Sequence, residues 1–150
     1  MYPHRIRLRG PWECEPLARF VMGADGRKEE IATNLPAPRK MTMPCRWSEG
    51  GLNDFSGRVR FRRHFGYPGR IDDNERVWLT FAGVEATAQI WLNGQFLGRQ
   101  TGPRPFEFEV TKLLGNRNDL RVDIKGDSIK GGLYGEVALE IRLATLGSVS

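Results

Sequence analysis

The chain has 150 residues, of which 39% are hydrophobic, and a formal net charge of +5. This length suits a single domain, residues 1–150, with one buried core. No apolar stretch approaches the roughly 20 residues of a membrane-spanning helix, so we expect no membrane association. The first residues alternate charged and aliphatic side chains, unlike the continuous apolar centre of a signal peptide. The sequence as it stands predicts a cytoplasmic protein, unless it is a domain of a longer exported chain.

The first half of the chain predicts short strands separated by loops. Strict alternation over residues 5–9 predicts a strand with Ile6 and Leu8 facing inward. Further strands are predicted over residues 17–22 and 39–43, whereas residues 27–38 predict a loop with a weak strand at most. Residues 47–54 are rich in Ser, Gly, Asn and Asp and predict another loop.

The second half shows a more regular alternation. Apolar residues at every second position predict strands whose inward rows are Val59, Phe61 and Phe65; Val77, Leu79 and Phe81; Ala86, Ala88, Ile90 and Leu92; Phe106, Phe108 and Val110; Leu120, Val122 and Ile124; and Val137, Leu139, Ile141 and Leu143. Asn93-Gly94 predicts a two-residue hairpin turn, because both residues tolerate positive φ. Since no segment has a sustained helical period, the sequence predicts an all-β protein, an antiparallel two-sheet β-sandwich.

The cysteines and histidines give no sign of a metal or redox site. Cys14 and Cys45 are too far apart in sequence for a C-x-x-C pair, and free thiols are favoured over a single disulfide. His4 and His64 lack metal-ligand spacing with these cysteines. No nucleotide-binding or nucleophile-elbow motif occurs. We therefore expect no cofactor and no bound metal.

One dense run of arginines occurs, at Arg58, Arg60 and Arg62. Alternate residues of a strand share a face, so these three side chains are predicted to lie together. The favoured interpretation is a solvated outer sheet face, and the alternative is a patch that binds an anionic polymer. The other arginines are spread along the chain, which does not favour nucleic acid as the partner.

Eight short motifs follow one another in an order that points to a known family. They are Leu8-Arg9-Gly10-Pro11-Trp12, Pro44-Cys45-Arg46-Trp47, Phe55-x-Gly57-x-Val59-x-Phe61-Arg62-Arg63-x-Phe65, Val77-x-Leu79-x-Phe81-x-Gly83-Val84, Ala88-x-Ile90-Trp91-Leu92-Asn93-Gly94, Pro105-Phe106-x-Phe108-x-Val110-Thr111, Asn118-x-Leu120-x-Val122 and Gly132-Leu133-Tyr134-Gly135-Glu136-Val137-x-Leu139. Their order resembles the N-terminal sugar-binding domain of family 2 glycoside hydrolases, the β-galactosidase and β-glucuronidase group. The resemblance implies a jelly-roll sandwich of the galactose-binding-like type.

The resemblance also implies that the chemistry of the family lies elsewhere. Both catalytic glutamates of the family lie in a (β/α)₈ barrel, a fold of about 250 residues. The adjacent acidic pairs of this chain, at 29–30 and 72–73, are typical of solvated loops rather than of a catalytic carboxylate pair. We therefore expect no catalysis by this chain alone. The sequence departs from the family at Gly135-Glu136, where the family has R-D, and at Gln100, where it often has histidine.

Binding of a saccharide is the leading functional hypothesis. Sites for sugars combine an aromatic ring with short polar side chains, and the candidates for such a site are Trp47, Asn53, Asp54, Tyr134 and Glu136. Trp47 as an edge residue of the core is the favoured alternative for that side chain.

A protein-interaction domain is the alternative function. Trp78 and Trp91 have the opposite parity to the apolar rows of their strands, so both are predicted on outer faces, where tryptophan often contributes to interfaces. The partner would then be a separate glycoside hydrolase subunit or a second copy of the chain.

Overall fold

The computed structural model describes residues 2–46, 49–52, 55–84, 87–126, 132–133 and 135–144. Within these residues the regular structure is all β: β1 (His4–Arg7), β2 (Trp12–Met22), β3 (Lys28–Ile31), β4 (Arg39–Met41), β5 (Cys45–Arg46), β6 (Gly57–Gly66), β7 (Glu75–Phe81), β8 (Thr87–Leu92), β9 (Gln95–Thr101), β10 (Phe106–Glu109), β11 (Arg117–Gly126), β12 (Gly132–Leu133) and β13 (Val137–Leu143). No helix in this part of the chain is long and apolar enough to cross a membrane.

The strands form two antiparallel sheets that enclose one core. The larger sheet has seven strands in the order β3-β2-β6-β11-β8-β9, with β4 paired to β2. The smaller sheet has the order β1-β13-β7-β10, and β12 and β5 form a separate short ladder. The predicted all-β, antiparallel two-sheet sandwich is therefore confirmed.

The core is built from the alternating apolar rows of the central strands. Their side chains are almost fully buried, and the largest include Phe61, Leu79, Phe81, Ile90 and Leu120. Burying each such side chain contributes roughly 1.5–3 kcal/mol, so these rows are the main source of stability. Trp12 completes the core from β2, and its indole nitrogen donates a hydrogen bond of 2.7 Å to the carbonyl of Leu8. The sequence had not identified Trp12 as a core residue.

A buried amide connects the β8–β9 hairpin to β11. Asn93 and Gly94 have φ values of 52° and 83°, which confirms the predicted turn. The Asn118 side chain is 1% exposed. Its oxygen accepts hydrogen bonds from the Gly115 N–H and the Asn93 amide, both at 2.9 Å. Its nitrogen donates to the Gly115 carbonyl at 3.0 Å. Asn118 thus hydrogen-bonds both the hairpin, through the Asn93 amide, and the segment that precedes β11, through Gly115.

Several strand boundaries, and the burial of two residues in the predicted inward rows, differ from the sequence prediction. Strand β2 begins at Trp12 rather than residue 17, and the segment 27–38 contains the strand β3. Ile6 and Leu143 belong to inward rows but are 38% and 46% exposed, because they lie in an edge strand and at a strand end that the opposite sheet does not cover. Ala86 lies outside the described residues.

Both cysteines are free thiols, as the sequence predicted. Burial raises the pKa of the Cys14 thiol to about 12. Because the thiolate is the reactive form, Cys14 is an inert core residue. Burial also raises the pKa of Cys45.

The Asn118 contacts predict a specific cost for losing the amide. Asn118→Ala should lower the free energy of unfolding by about 2 kcal/mol, because it removes a buried amide together with its hydrogen bonds to the Gly115 N–H and carbonyl and to the Asn93 side chain. Asn116→Ala, at an exposed neighbouring position, is the control and should change it by less than about 0.5 kcal/mol. Urea unfolding measures both variants, and equal midpoints would contradict the role given to Asn118.

Candidate functional site

Only part of the predicted sugar-binding set falls within the described residues. Trp47, Asn53, Asp54 and Tyr134 lie outside them, so their roles stay predictions. Glu136 is among the described residues; it lies directly before β13 and is half-buried. It locates the candidate site at one end of the four-stranded sheet.

Glu136 faces three arginines from the first ten residues of the chain. Its carboxylate oxygens lie 3.1 Å from Arg7 Nε, 3.6 Å from Arg5 Nη1 and 3.9 Å from Arg9 Nη2. Alternation along β1 places Arg5 and Arg7 on the outer face of the sheet, and Arg9 follows two residues later. Glu136 therefore lies in a positive environment made by one edge strand and its continuation.

The backbone at Gly135 leaves no room for the arginine that the family pattern has at this position. A Cβ at this position would lie 2.5 Å from the Gly83 nitrogen and 2.8 Å from the Ala82 Cβ. The Gly135 N–H donates to the Gly83 carbonyl at 3.3 Å, and the Ala82 N–H donates to the Glu136 carbonyl at 2.8 Å. Residue 135 is thus pressed against the end of β7, and a side chain there would force the two segments apart.

A groove of about 350 Å³ lies beside Glu136 on the outer face of the four-stranded sheet, where β7 ends and β10 begins. It contains hydroxyl, guanidinium, carboxylate and aromatic groups. Its lining comprises Arg5, Thr80, Phe81, Ala82, Pro105, Phe106, Glu107, Glu136, Glu140 and Arg142. The Phe106 ring stacks on the buried Phe81 with centroids 4.7 Å apart, so this ring packs against the core at the edge of the groove.

The charged groups of the groove are held in place by one another. Glu140 accepts hydrogen bonds from Arg5 at 2.6 Å and from Arg142 at 2.8 Å. Arg142 also binds both oxygens of Glu107, at 2.6 and 3.0 Å. Burial alone would raise the pKa of Glu140, but the hydrogen bonds from Arg142 and Arg5 outweigh it and hold that pKa below its usual value. Hydrogen bonds to Glu107 and Glu140 raise the pKa of Arg142.

This network suits binding better than proton transfer. The general acid of a glycosidase needs a carboxyl group with a raised pKa, whereas the pKa of Glu140 is lowered. Ordered guanidinium and carboxylate groups can instead donate and accept hydrogen bonds to the hydroxyls of a ligand. Among the described residues, no group of three His, Cys, Asp or Glu side chains is arranged to hold a metal ion.

The two tryptophans predicted at interfaces lie on different sheets. Trp78 is on the outer face of the four-stranded sheet and Trp91 is on the outer face of the larger one, and both are half-buried. Each ring is covered by a guanidinium group. The Arg142 carbon lies 5.0 Å from the Trp78 centroid, and the Arg121 carbon lies 3.9 Å from the Trp91 centroid. The two rings therefore do not form one surface.

The arginines of β6 share the outer face of the larger sheet, as their alternation predicts. Arg60 binds both oxygens of Asp123, at 3.0 and 3.2 Å. Arg58 lies 3.2 Å from the Glu30 carboxylate. Arg62 is unlike them, because no ion pair involving it occurs within the described residues.

The sequence located Glu136 but missed the residues that surround it. Arg5, Arg142 and Phe106 come from three strands that are distant in sequence and adjacent in the sheet. The sequence signal that could have found them is the period-two alternation, since Arg5, Glu140 and Arg142 alternate with inward apolar residues. This alternation shows which face of the sheet a side chain is on, but it does not give the order of the strands within the sheet.

Comparison with known proteins gives one family match. The model of the glycosyl hydrolase 2 galactose-binding domain-like family matches residues 54–132. A β-glucuronidase of Formosa agariphila is 35% identical over 82 residues, which cover 53% of this chain and 8% of the relative. A protein of Latilactobacillus sakei named β-galactosidase large subunit is 28% identical over 112 residues, covering 74% of this chain and 15% of the relative. The chain thus spans a small part of these relatives.

Solved structures share the fold over nearly the whole chain. The β-glucuronidase of Bifidobacterium dentium in complex with coumarin-3-O-glucuronide superposes with a TM-score of 0.74 at 23% identity, covering 95% of this chain and 32% of that protein. A β-glucuronidase of Faecalibacterium prausnitzii gives 0.70 at 21% identity and covers 94% of this chain. These similarities identify the sandwich as the type found in such enzymes.

The lowered pKa of Glu140 predicts a pH-dependent contribution to stability. At pH 7, Glu140→Gln should lower the free energy of unfolding by about 2 kcal/mol, because charged hydrogen bonds to Arg5 and Arg142 are weakened. The folded-state pKa lies below the unfolded value of about 4.3, so this contribution is complete above that pH and is lost as the pH falls through the folded-state pKa. Denaturant unfolding from pH 7 to pH 2 should show wild type and variant converging.

Glu109→Gln is the matched control for this experiment. Glu109 is an exposed acid on the same face, in β10. Its replacement should change stability little at any pH. A Glu140→Gln deficit that persists undiminished at pH 2 would contradict the assignment.

Proposed function

Because the chain belongs to the glycosyl hydrolase 2 galactose-binding domain-like family, we propose that it is a non-catalytic carbohydrate-binding or accessory module. The observation that supports this proposal most directly is the groove beside Glu136. It contains ordered hydrogen-bond donors and acceptors, and its pKa-lowered acid, Glu140, is unsuited to general acid catalysis.

The dimensions of the groove fit recognition of a short saccharide segment. Its volume of about 350 Å³ is at the lower end of the range of small-molecule sites, roughly 300–1,000 Å³. In the proposed complex the apolar face of a sugar ring packs against Pro105. The carboxylates of Glu136 and Glu107 accept hydrogen bonds from sugar hydroxyls, and Arg5 donates to a sugar oxygen.

The relatives favour β-linked galactose or glucuronic acid derivatives as the first ligands to test. The curated relatives are named β-glucuronidase and β-galactosidase, and one solved relative holds a glucuronide. We propose binding of such glycosides by this chain without hydrolysis. The three arginines around Glu136 are compatible with either sugar, since guanidinium groups donate to hydroxyls as well as to carboxylates.

Docking to a separate catalytic subunit is the second candidate function. One relative is named a large subunit, and the sandwich presents a half-buried tryptophan beneath an arginine on each outer face. Tryptophan and arginine are the residues most enriched where protein interfaces gain their affinity. In this case the module would position a catalytic barrel rather than bind sugar by itself.

Calorimetric titration tests the sugar-binding proposal. Galactosides, glucuronides, mannosides and plant or algal polysaccharides form the panel, and at least one should bind the wild-type chain. Glu136→Gln with Glu107→Gln should weaken that binding by roughly tenfold, because two charged acceptors are lost from the groove. Glu109→Gln removes a neighbouring charge outside the groove lining and should leave the affinity unchanged.

Circular dichroism and thermal melts establish that these variants are folded. Since Glu136 is half-exposed, its ion pairs contribute at most about 1 kcal/mol, so the double variant should fold. An absence of binding across the whole panel would remove the sugar-binding proposal.

The docking candidate predicts a different result. A (β/α)₈ catalytic polypeptide of the family, mixed with the wild-type chain, should sediment as a complex in analytical ultracentrifugation. Trp78→Ser with Trp91→Ser should remove at least about 2 kcal/mol of binding free energy, the cost typical of losing an interface hot spot. Sedimentation as two separate species with the wild-type chain would dismiss this candidate.

A further inference from the structure

A row of side chains crosses the outer face of the seven-stranded sheet and has no part in the groove. Glu13 on β2 is paired in register with Arg62 on β6, and Arg62 with Arg121 on β11. Arg121 is paired with Trp91 on β8, and Trp91 with Phe96 on β9. Two arginines therefore lie side by side next to two aromatic rings.

The arrangement of the two arginines is unfavourable for the isolated fold. Like charges directly opposite each other on neighbouring strands repel. The Nε atoms of Arg62 and Arg121 are also buried without a hydrogen-bond partner in the described part of the chain. Asp123 is shared between two arginines, because both of its oxygens bind Arg60, at 3.0 and 3.2 Å, and one of them also lies 3.5 Å from Arg121 Nη2. Because both Nε atoms are buried, the terminal Nη groups are the guanidinium donors that a ligand at this row can reach.

The local charge is positive because β6 presents no acidic residue outward. The outward side chains of Arg58 and Arg60 are matched by Glu30 and Asp123. Arg62 has no such match among the residues that the structure describes. Glu13 is its neighbour in register, but no ion pair between them is formed in this part of the structure. An incoming anionic group would therefore compensate a charge that the protein leaves uncompensated.

The aromatic rings fix one guanidinium and leave an apolar surface beside it. The Arg121 guanidinium carbon lies 3.9 Å from the Trp91 ring centroid, a stacking distance. Stacking uses the face of the guanidinium and leaves its in-plane N–H groups able to bind a ligand. Phe96 lies 5.3 Å from Trp91 between ring centroids and is 50% exposed. A ligand at this row meets donors and an exposed ring together.

We propose that Arg62, Arg121 and Phe96 form a second binding site, for a saccharide ring that carries a carboxylate, as in an acidic polysaccharide. Guanidinium groups bind planar carboxylates through two parallel hydrogen bonds, and the exposed phenyl ring packs against the apolar C–H face of the sugar. The site lies on the opposite outer face from the Glu136 groove. It goes beyond the proposed function and does not depend on it.

The same observations disfavour a nucleic acid as the ligand. Duplex DNA carries one negative charge per roughly 1.7 Å of its axis and needs a continuous basic track. Here the basic surface is interrupted, because the neighbouring strand β2 presents two exposed acids, Glu13 and Glu15, next to the arginines of β6. An acidic polysaccharide carries at most about one carboxylate per ring, which a single pair of arginines can satisfy.

Titration with polygalacturonate at low salt tests the site. The wild-type chain should bind it and should not bind neutral dextran. Arg62→Ala with Arg121→Ala should weaken binding by at least about tenfold, and Phe96→Ser by several-fold. Arg27→Ala with Arg70→Ala is the matched control: it removes the same charge from side chains that are 87% and 94% exposed, and affinity should change by less than about twofold.

Two further measurements distinguish the contribution of guanidinium geometry to binding from the contributions of charge and of folding. Arg62→Lys with Arg121→Lys keeps the charge and the aliphatic stems but loses the two-pronged donor, so binding should still fall by several-fold. The melting temperature of the alanine double variant should not fall by more than a few degrees, because repulsion between the two arginines is relieved. Lysine variants with wild-type affinity would contradict the carboxylate geometry.

Each remaining outcome decides against the proposal. Absence of polygalacturonate binding would overturn it, as would an equal loss in the Arg27/Arg70 control. Tighter binding of dextran sulfate or of duplex DNA than of polygalacturonate would assign the row to another anion. Arg62→Ala with Arg121→Ala should leave the binding of neutral galactosides unchanged, because neither residue lines the groove beside Glu136, so failure of the groove proposal and failure of this one are distinguishable.

Discussion

The alternation of side chains along each strand is the constraint on which the rest of the molecule depends. An apolar residue at every second position is directed into the core between the sheets, so the residues between them are directed outward. Val59 and Phe61 are fully buried for this reason, and the arginines next to them in sequence are displayed together on the surface. Formation of the core therefore creates two outer faces whose composition is free to vary.

The two outer faces use that freedom differently. On the four-stranded sheet the charges are matched: Glu140 lies between Arg5 and Arg142, and Glu136 is surrounded by arginines of the chain's first ten residues. This face is ordered by its own ion pairs and presents a groove with fixed donors and acceptors. On the seven-stranded sheet Arg62 and Arg121 are opposed and incompletely paired. A matched face stabilises the fold, whereas an unmatched one favours an external anion.

Much of the fold and little of the site could be predicted from the sequence. Period-two rows such as Leu120, Val122 and Ile124 have only one structural explanation, and Asn93-Gly94 has only one common turn. Ile6 was placed on the correct face, but its exposure depends on β1 being an edge strand, which is a property of the sheet order. The groove was missed for the same reason, since Arg5 and Glu140 become neighbours only through the pairing of β1 with β13.

At the candidate site, the residue before the acid is a glycine, and the positive charge around the acid comes from elsewhere in the chain. The family pattern has an arginine directly before the acid, but here residue 135 is packed against Ala82 and Gly83 with no room for a Cβ. Glu136 nevertheless remains in contact with guanidinium groups, because Arg5, Arg7 and Arg9 supply them from a different part of the chain. The positive charge near the acid therefore comes from an edge strand and its continuation and not from the residue directly before the acid. An edge strand is paired on one side only, so the arginines that surround the acid can vary without disturbing the core, and the charge of the groove can vary with them.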